Sequence, residues 1–94
     1  MRQPNHFGRG LKRIRNLRGL PQDALSSSGR TDVSALERGL KSPTLTKIDL
    51  RADELNVHPI TLIVLAYIPS DAGLSKARHL LEKVEDELTT ILGM

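Results

Sequence analysis

From Phe7 to Ile91 the apolar side chains recur at intervals of three and four residues, in runs that are all short. That interval marks one side of a helix. The chain can therefore bury its apolar side chains only by stacking short helices against one another. The interruptions are Gly19, Pro21, the cluster Ser26-Ser27-Ser28-Gly29, Gly39, Pro43, Asn56, Pro59 and the stretch Pro69 to Gly73. Glycine ends a helix by taking a left-handed conformation, and proline suits a first turn. With one Phe, one Tyr and no Trp, the core has to come from Leu, Ile, Val and Ala. The expected fold class is all-α. There is no cysteine, which excludes disulfide scaffolds and Cys-based zinc sites.

Residues 1–6 carry no periodicity and are expected to form an arm. Phe7, Leu11, Ile14 and Leu17 or Arg18 form one stripe ending at Gly19, with Arg9, Lys12, Arg13 and Arg18 on other sides. Leu20-Pro21 opens a brief second helix through Leu25. The third, Arg30 to Gly39, has Val33 and Leu36 on one side and leaves Arg30, Thr31, Asp32 and Ala35 outward. So short a helix is unstable alone and must be docked on its neighbours. After a loop from Leu40 to Pro43, Thr44 caps a fourth helix in which Leu45, Ile48, Ala52 and Leu55 share a side, stopped at Asn56. Pro59 starts a fifth, apolar on nearly every side from Ile60 to Tyr67. Such a helix should be covered over most of its circumference, and the preceding segment is too small to do so. Ile60 to Ile68 is only about half of a bilayer span.

A hinge at 69–73 leads to Leu74, Ala77, Leu81, Val84, Leu88 and Ile91, spaced alternately by three and four and flanked by charged residues. This is a heptad seam. It either folds back on its own domain or pairs with a second copy. The surplus apolar surface at Ile60–Ile68 favours a two-fold homodimer using both elements, with a higher oligomer left open. Residues 7–68 would then be one domain and 74–92 a C-terminal oligomerisation helix.

The net charge of +3 is unevenly spread. Residues 1–41 hold nine Lys and Arg against three Asp and Glu; residues 42–94 hold five against eight. A basic front half implies a polyanionic partner there. Helices with a Ser-Gly turn between the second and third suggest a helix-turn-helix, whose following helix enters the major groove of double-stranded DNA.

The motifs that carry a resemblance are Phe7-Gly8, Leu11, Ile14-Arg15, Arg18-Gly19-Leu20, Gln22-Asp23-Ala24-Leu25, Val33-Ser34, Leu36-Glu37-Arg38-Gly39 and Lys41-Ser42-Pro43-Thr44-Leu45. Ala52, Leu55 and Val57 complete the set. Over residues 7–63 the chain resembles the Xre family of Cro/CI-type helix-turn-helix regulators. The run from Ser34 to Pro43 is its most specific piece.

The resemblance implies a five-helix lambda-repressor-like DNA-binding domain. It implies that Gln22 donates to a backbone phosphate and that Arg15 and Glu37 form a structural ion pair. It assigns base reading to Arg30, Thr31, Asp32 and Ala35, and sugar–phosphate contacts to Arg38, Lys41, Ser42 and Thr44. Chemically, Arg30 can fork to guanine, Thr31 can meet a thymine methyl or a phosphate, and Asp32 can accept from cytosine or cap its helix. The chain departs from the family pattern in three ways. It is shorter between Gln22 and Val33, Pro21 replaces a hydroxyl cap, and Arg51 replaces an apolar residue, its stem expected to snorkel along the core.

Nothing in the sequence supports catalysis. His6, His58 and His79 belong to different elements without acidic partners at ligand spacing, and no strand precedes a glycine loop. No cofactor, metal or membrane partner is expected. Arg2 is the only charge before Phe7 and no long apolar run follows it, which argues against a secretory signal and for a cytoplasmic protein. The expected function is a transcriptional regulator, repressor in type, acting as a homodimer on an inverted-repeat operator. The alternative is the antitoxin of a toxin–antitoxin pair, with the C-terminal segment covering a toxin.

Overall fold

The computed structural model describes residues 7–25, 29–69 and 71–93, apart from the side chains of Asp23 and of residues 29–32. The expected arm at 1–6 and the serine turn at 26–28 lie outside the described residues. Five α-helices are present among them and no strand: α1 (Phe7–Leu17), α2 (Gly29–Glu37), α3 (Leu45–Leu55), α4 (Pro59–Tyr67) and α5 (Leu74–Leu92). The expected second helix is instead one 3₁₀ turn, Gln22–Ala24, with Pro21 outside it as the preceding extended residue. Only four residues separate Pro21 from the serines, too few to repay the nucleation of an α-helix.

Three helices end in the same way. The N–H of Leu20 reaches back to the Arg15 carbonyl at 2.9 Å, that of Leu40 to Ala35 at 2.9 Å, and that of Val57 to Ala52 at 3.0 Å. The residues before them, Gly19, Gly39 and Asn56, sit at φ of 68°, 74° and 57°. Each left-handed residue lets the chain double back and satisfy carbonyls that the helix end orphans. At helix starts, Thr44 Oγ1 accepts the Lys47 N–H at 3.2 Å and His58 Nδ1 accepts the Ile60 N–H at 3.0 Å. Pro59 follows at the first turn of α4.

The core gathers Phe7, Leu11 and Ile14 of α1, Leu25 just after the 3₁₀ turn, Val33 and Leu36 of α2, Ile48, Ala52 and Leu55 of α3, and Leu62 and Ala66 of α4. α1 lies between α2 and α4, and α3 packs on α4. Two glycines permit this closeness. A Cβ on Gly8 would meet the Leu36 carbonyl oxygen and come within 2.9 Å of the Glu37 Cα, and one on Gly10 would come within 2.7 Å of the Leu65 Cβ.

Two side chains depart from the sequence pattern. Leu17 is 84% exposed, so the α1 stripe stops at Ile14 and Arg15. Leu45 is 74% exposed, and the side of α3 that faces inward carries Arg51 instead. Arg51 does not snorkel: it is wholly buried, and Nη1 meets Glu54 Oε1 one turn on at 2.5 Å. A buried guanidinium needs such a counter-charge close by.

α4 buries Leu62 and Ala66, while Ile60 and Tyr67 remain exposed. α5 rests on α4 and has no buried residue of its own. Among the described residues no helix is long and apolar enough to cross a membrane.

Candidate nucleic-acid interface

α2 is nine residues long, and among its described side chains Val33 and Leu36 are the ones buried in the core. Val33 is fully buried and Leu36 is 2% exposed, each contributing about 2 kcal/mol by removal from water. That docking holds a helix too short to persist alone. At its end a polar clamp adds direction. Arg15 of α1 forks onto Glu37, Nε to Oε2 at 2.7 Å and Nη2 to Oε1 at 3.0 Å. Its Nη1 donates to the Leu20 carbonyl at 2.7 Å. The Glu37 hydrogen bond, opposed by burial and aided by the carboxylate charge, raises the Arg15 guanidinium above its ordinary value. The ion pair expected from the sequence is therefore formed.

Gln22 belongs to the same clamp. Its Nε2 donates to Glu37 Oε1 at 3.0 Å, tying the 3₁₀ turn to the end of α2. Its sequence-based role was a phosphate contact; its described partner is Glu37. The amide retains a second N–H for a further acceptor.

On the remainder of α2, Ser34 and Ala35 are half-buried and Arg38, just beyond it, is exposed. The backbone of Arg30, Thr31 and Asp32 lies in the first turns of α2; their side chains lie outside the described residues. Lys41 and Ser42 are exposed in the loop that follows, and Thr44 uses its hydroxyl to cap α3. The candidate phosphate ligands Arg38, Lys41, Ser42 and Thr44 thus fall within one loop between α2 and α3. On α1, Arg9, Lys12 and Arg13 are exposed and line a cleft against Leu65, Ile68 and Pro69, a grouping that helical spacing alone did not reveal.

The candidate oligomerisation residues lie along α5. Leu74, Leu81, Val84, Leu88 and Ile91 are exposed and Ala77 is half-buried. Ile60 of α4 borders the same surface, forming an open groove with Leu81, Val84 and Leu88. The sequence had marked α4 for surplus apolar surface without indicating which of its residues would remain uncovered. Comparison with protein-family models, with curated proteins and with solved structures gives no match to this chain.

Proposed function

We propose that this protein is a sequence-specific DNA-binding regulator of transcription, repressor in type, with a lambda-repressor-like domain over α1–α4 and a homodimer formed through α5. The observation that carries the proposal is the anchoring of α2. Val33, Leu36 and the Arg15–Glu37–Gln22 clamp secure the helix, and Arg38, Lys41 and Ser42 are exposed at and beyond its end. Held in this way, a helix too short to persist alone keeps a fixed place in the fold.

In this reading Arg30, Thr31, Asp32 and Ala35 meet base edges in the major groove. Arg38, Lys41, Ser42 and the amides that open α3 at Thr44 meet the phosphates and fix the register. Gln22 adds a phosphate contact with the N–H that Glu37 leaves over. The excess of basic over acidic residues in the front half supplies affinity that falls as salt rises. A two-fold pair of such domains calls for an inverted-repeat site. α5 serves this pairing: its regular seam suits a second copy better than a groove on a foreign protein.

Selection of binding sites from random duplexes is the direct test. Recovery of an inverted repeat with a fixed spacing is expected. Recovery of no enriched sequence at physiological salt would overturn the reading.

A further inference from the structure

The charges of α5 are ordered against its own dipole. Lys76 and Arg78 stand near its start, Glu85, Asp86 and Glu87 in its second half, with no acid in the first turn and no base in the last. Such an order weakens an isolated helix. It becomes favourable when the basic half of one copy lies beside the acidic half of another. Arg78 and Glu85 are one heptad apart and occupy the same position beside the apolar seam. Both are exposed, and among the described residues neither forms an ion pair.

In a parallel pair of helices, residues flanking the seam meet a different heptad position on the partner. Arg78 would then face Gly73 of the second copy and Glu85 would face its Leu80, with no charge matched. In an antiparallel pair, like positions meet. Arg78 then faces Glu85 of the second copy, and two-fold symmetry makes the pair twice.

The seam independently favours the same direction. Turned about an axis between Leu81 and Val84, Leu81 meets Val84, Ala77 meets Leu88 and Leu74 meets Ile91. Each layer is mixed, and the smallest side chain lies against a large one. A parallel pair would instead stack Ala77 on Ala77 and leave a gap. The groove formed by Ile60, Arg78, Leu81, Val84, Glu85 and Leu88 is where the second helix would seat.

We propose that α5 pairs antiparallel with α5 of a second copy of this chain, the two-fold axis passing between Leu81 and Val84 and the Arg78–Glu85 pair formed on both sides of it. This rests on the dimer reading above and adds its direction and register.

The full chain has no cysteine, so single introduced thiols report unambiguously. Leu74→Cys and Ile91→Cys chains, mixed and oxidised well above the dimer dissociation constant, should form a mixed disulfide. Neither should cross-link to itself, because two copies of residue 74 lie about 25 Å apart in this arrangement. Self-linking of either chain alone, without the mixed product, overturns the direction and leaves the dimer standing. A monomeric mass for the unaltered chain in light scattering overturns the dimer reading itself.

Charge reversal gives a second readout. Arg78→Glu and Glu85→Arg should each raise the homodimer dissociation constant about tenfold, since each creates two like-charge pairs. Mixing the two variants should restore the original constant, as should placing both substitutions in one chain. Unchanged constants in both single variants would overturn the pairing.

Discussion

The guanidinium of Arg15 holds both carboxylate oxygens of Glu37, at 2.7 and 3.0 Å, across the junction of α1 with the end of α2. Their side chains are only 10% and 3% exposed. Most of this pair's importance lies in what breaking it would leave behind. Arg15→Met strands a nearly buried carboxylate with the Gln22 amide as its remaining described partner. We predict a loss of about 3–5 kcal/mol in denaturant unfolding. The double variant Arg15→Met/Glu37→Met should recover most of it. A loss below about 1 kcal/mol for the single variant would show that the clamp is dispensable.

The pH dependence follows from the direction of the Arg15 shift. A base raised above its unfolded value stabilises the fold at every pH below that value and ceases to do so only once the folded form deprotonates. Arg15 should therefore contribute no slope to unfolding free energy from neutral to about pH 10. Titrating the stability difference between the parent and Arg15→Met over that interval checks it. A fall toward high pH within it would contradict the assignment.

Gly8 sits where α1 meets the backbone of α2, so its substitution acts on main chain that cannot step aside. Gly8→Ala should cost about 3 kcal/mol or more. Gly10→Ala, whose Cβ would press on the Leu65 side chain, should cost less. Gly73→Ala, with nothing within 4 Å, should be close to neutral. Thermal melts of the three variants test the order, and equal effects at all three would refute it.

Proposed phosphate and base contacts differ in how they respond to salt and sequence. Lys41→Gln should weaken binding to all duplexes alike and lower the slope of log affinity against log salt by about one. Arg30→Ala should cost about 1–3 kcal/mol on the selected site and little on others. Filter binding across a salt series distinguishes the two. A sequence-specific loss from Lys41→Gln would reverse the assignment.

Leu81 is exposed at the middle of the α5 seam. Leu81→Asp should yield a monomer by light scattering while leaving the helical content of the domain unchanged, since Leu81 belongs to no part of the core. An undiminished mass would show that the chain associates elsewhere, if at all.

Periodicity and breakers made most of the helices legible beforehand. The spacing of Val33 and Leu36, the glycine after Arg38, the Thr44 cap, Asn56 and Pro59 all lie where their chemistry requires. The Arg15–Glu37 pair was legible only through the motif that carries it, because the two residues are far apart in sequence. The 3₁₀ turn was missed because an apolar pattern over four residues does not distinguish it from an α-helical turn. Leu45 is exposed and Arg51 is buried to its head group instead of snorkelling, because hydropathy ranks a residue without seeing a partner, and Glu54 supplies one to Arg51. The close approach at Gly8 left no trace in the pattern, since a helical glycine reads only as a poor helix former. For the candidate interface, spacing indicated which side of α2 is anchored, but could not reveal that Gln22 shares Glu37 with Arg15.

The nine residues of α2 set a limit on how much information one copy could extract. At 1.5 Å per residue the helix is about 13 Å long, the length of about four stacked base pairs. A word of that size recurs by chance about every few hundred positions, against the millions of competing sites a genome offers. On the proposed reading, a lone molecule would be almost indifferent to address. Discrimination would come from reading two such words at once, so that cellular abundance, by setting how many copies are coupled, would also set how selectively they settle.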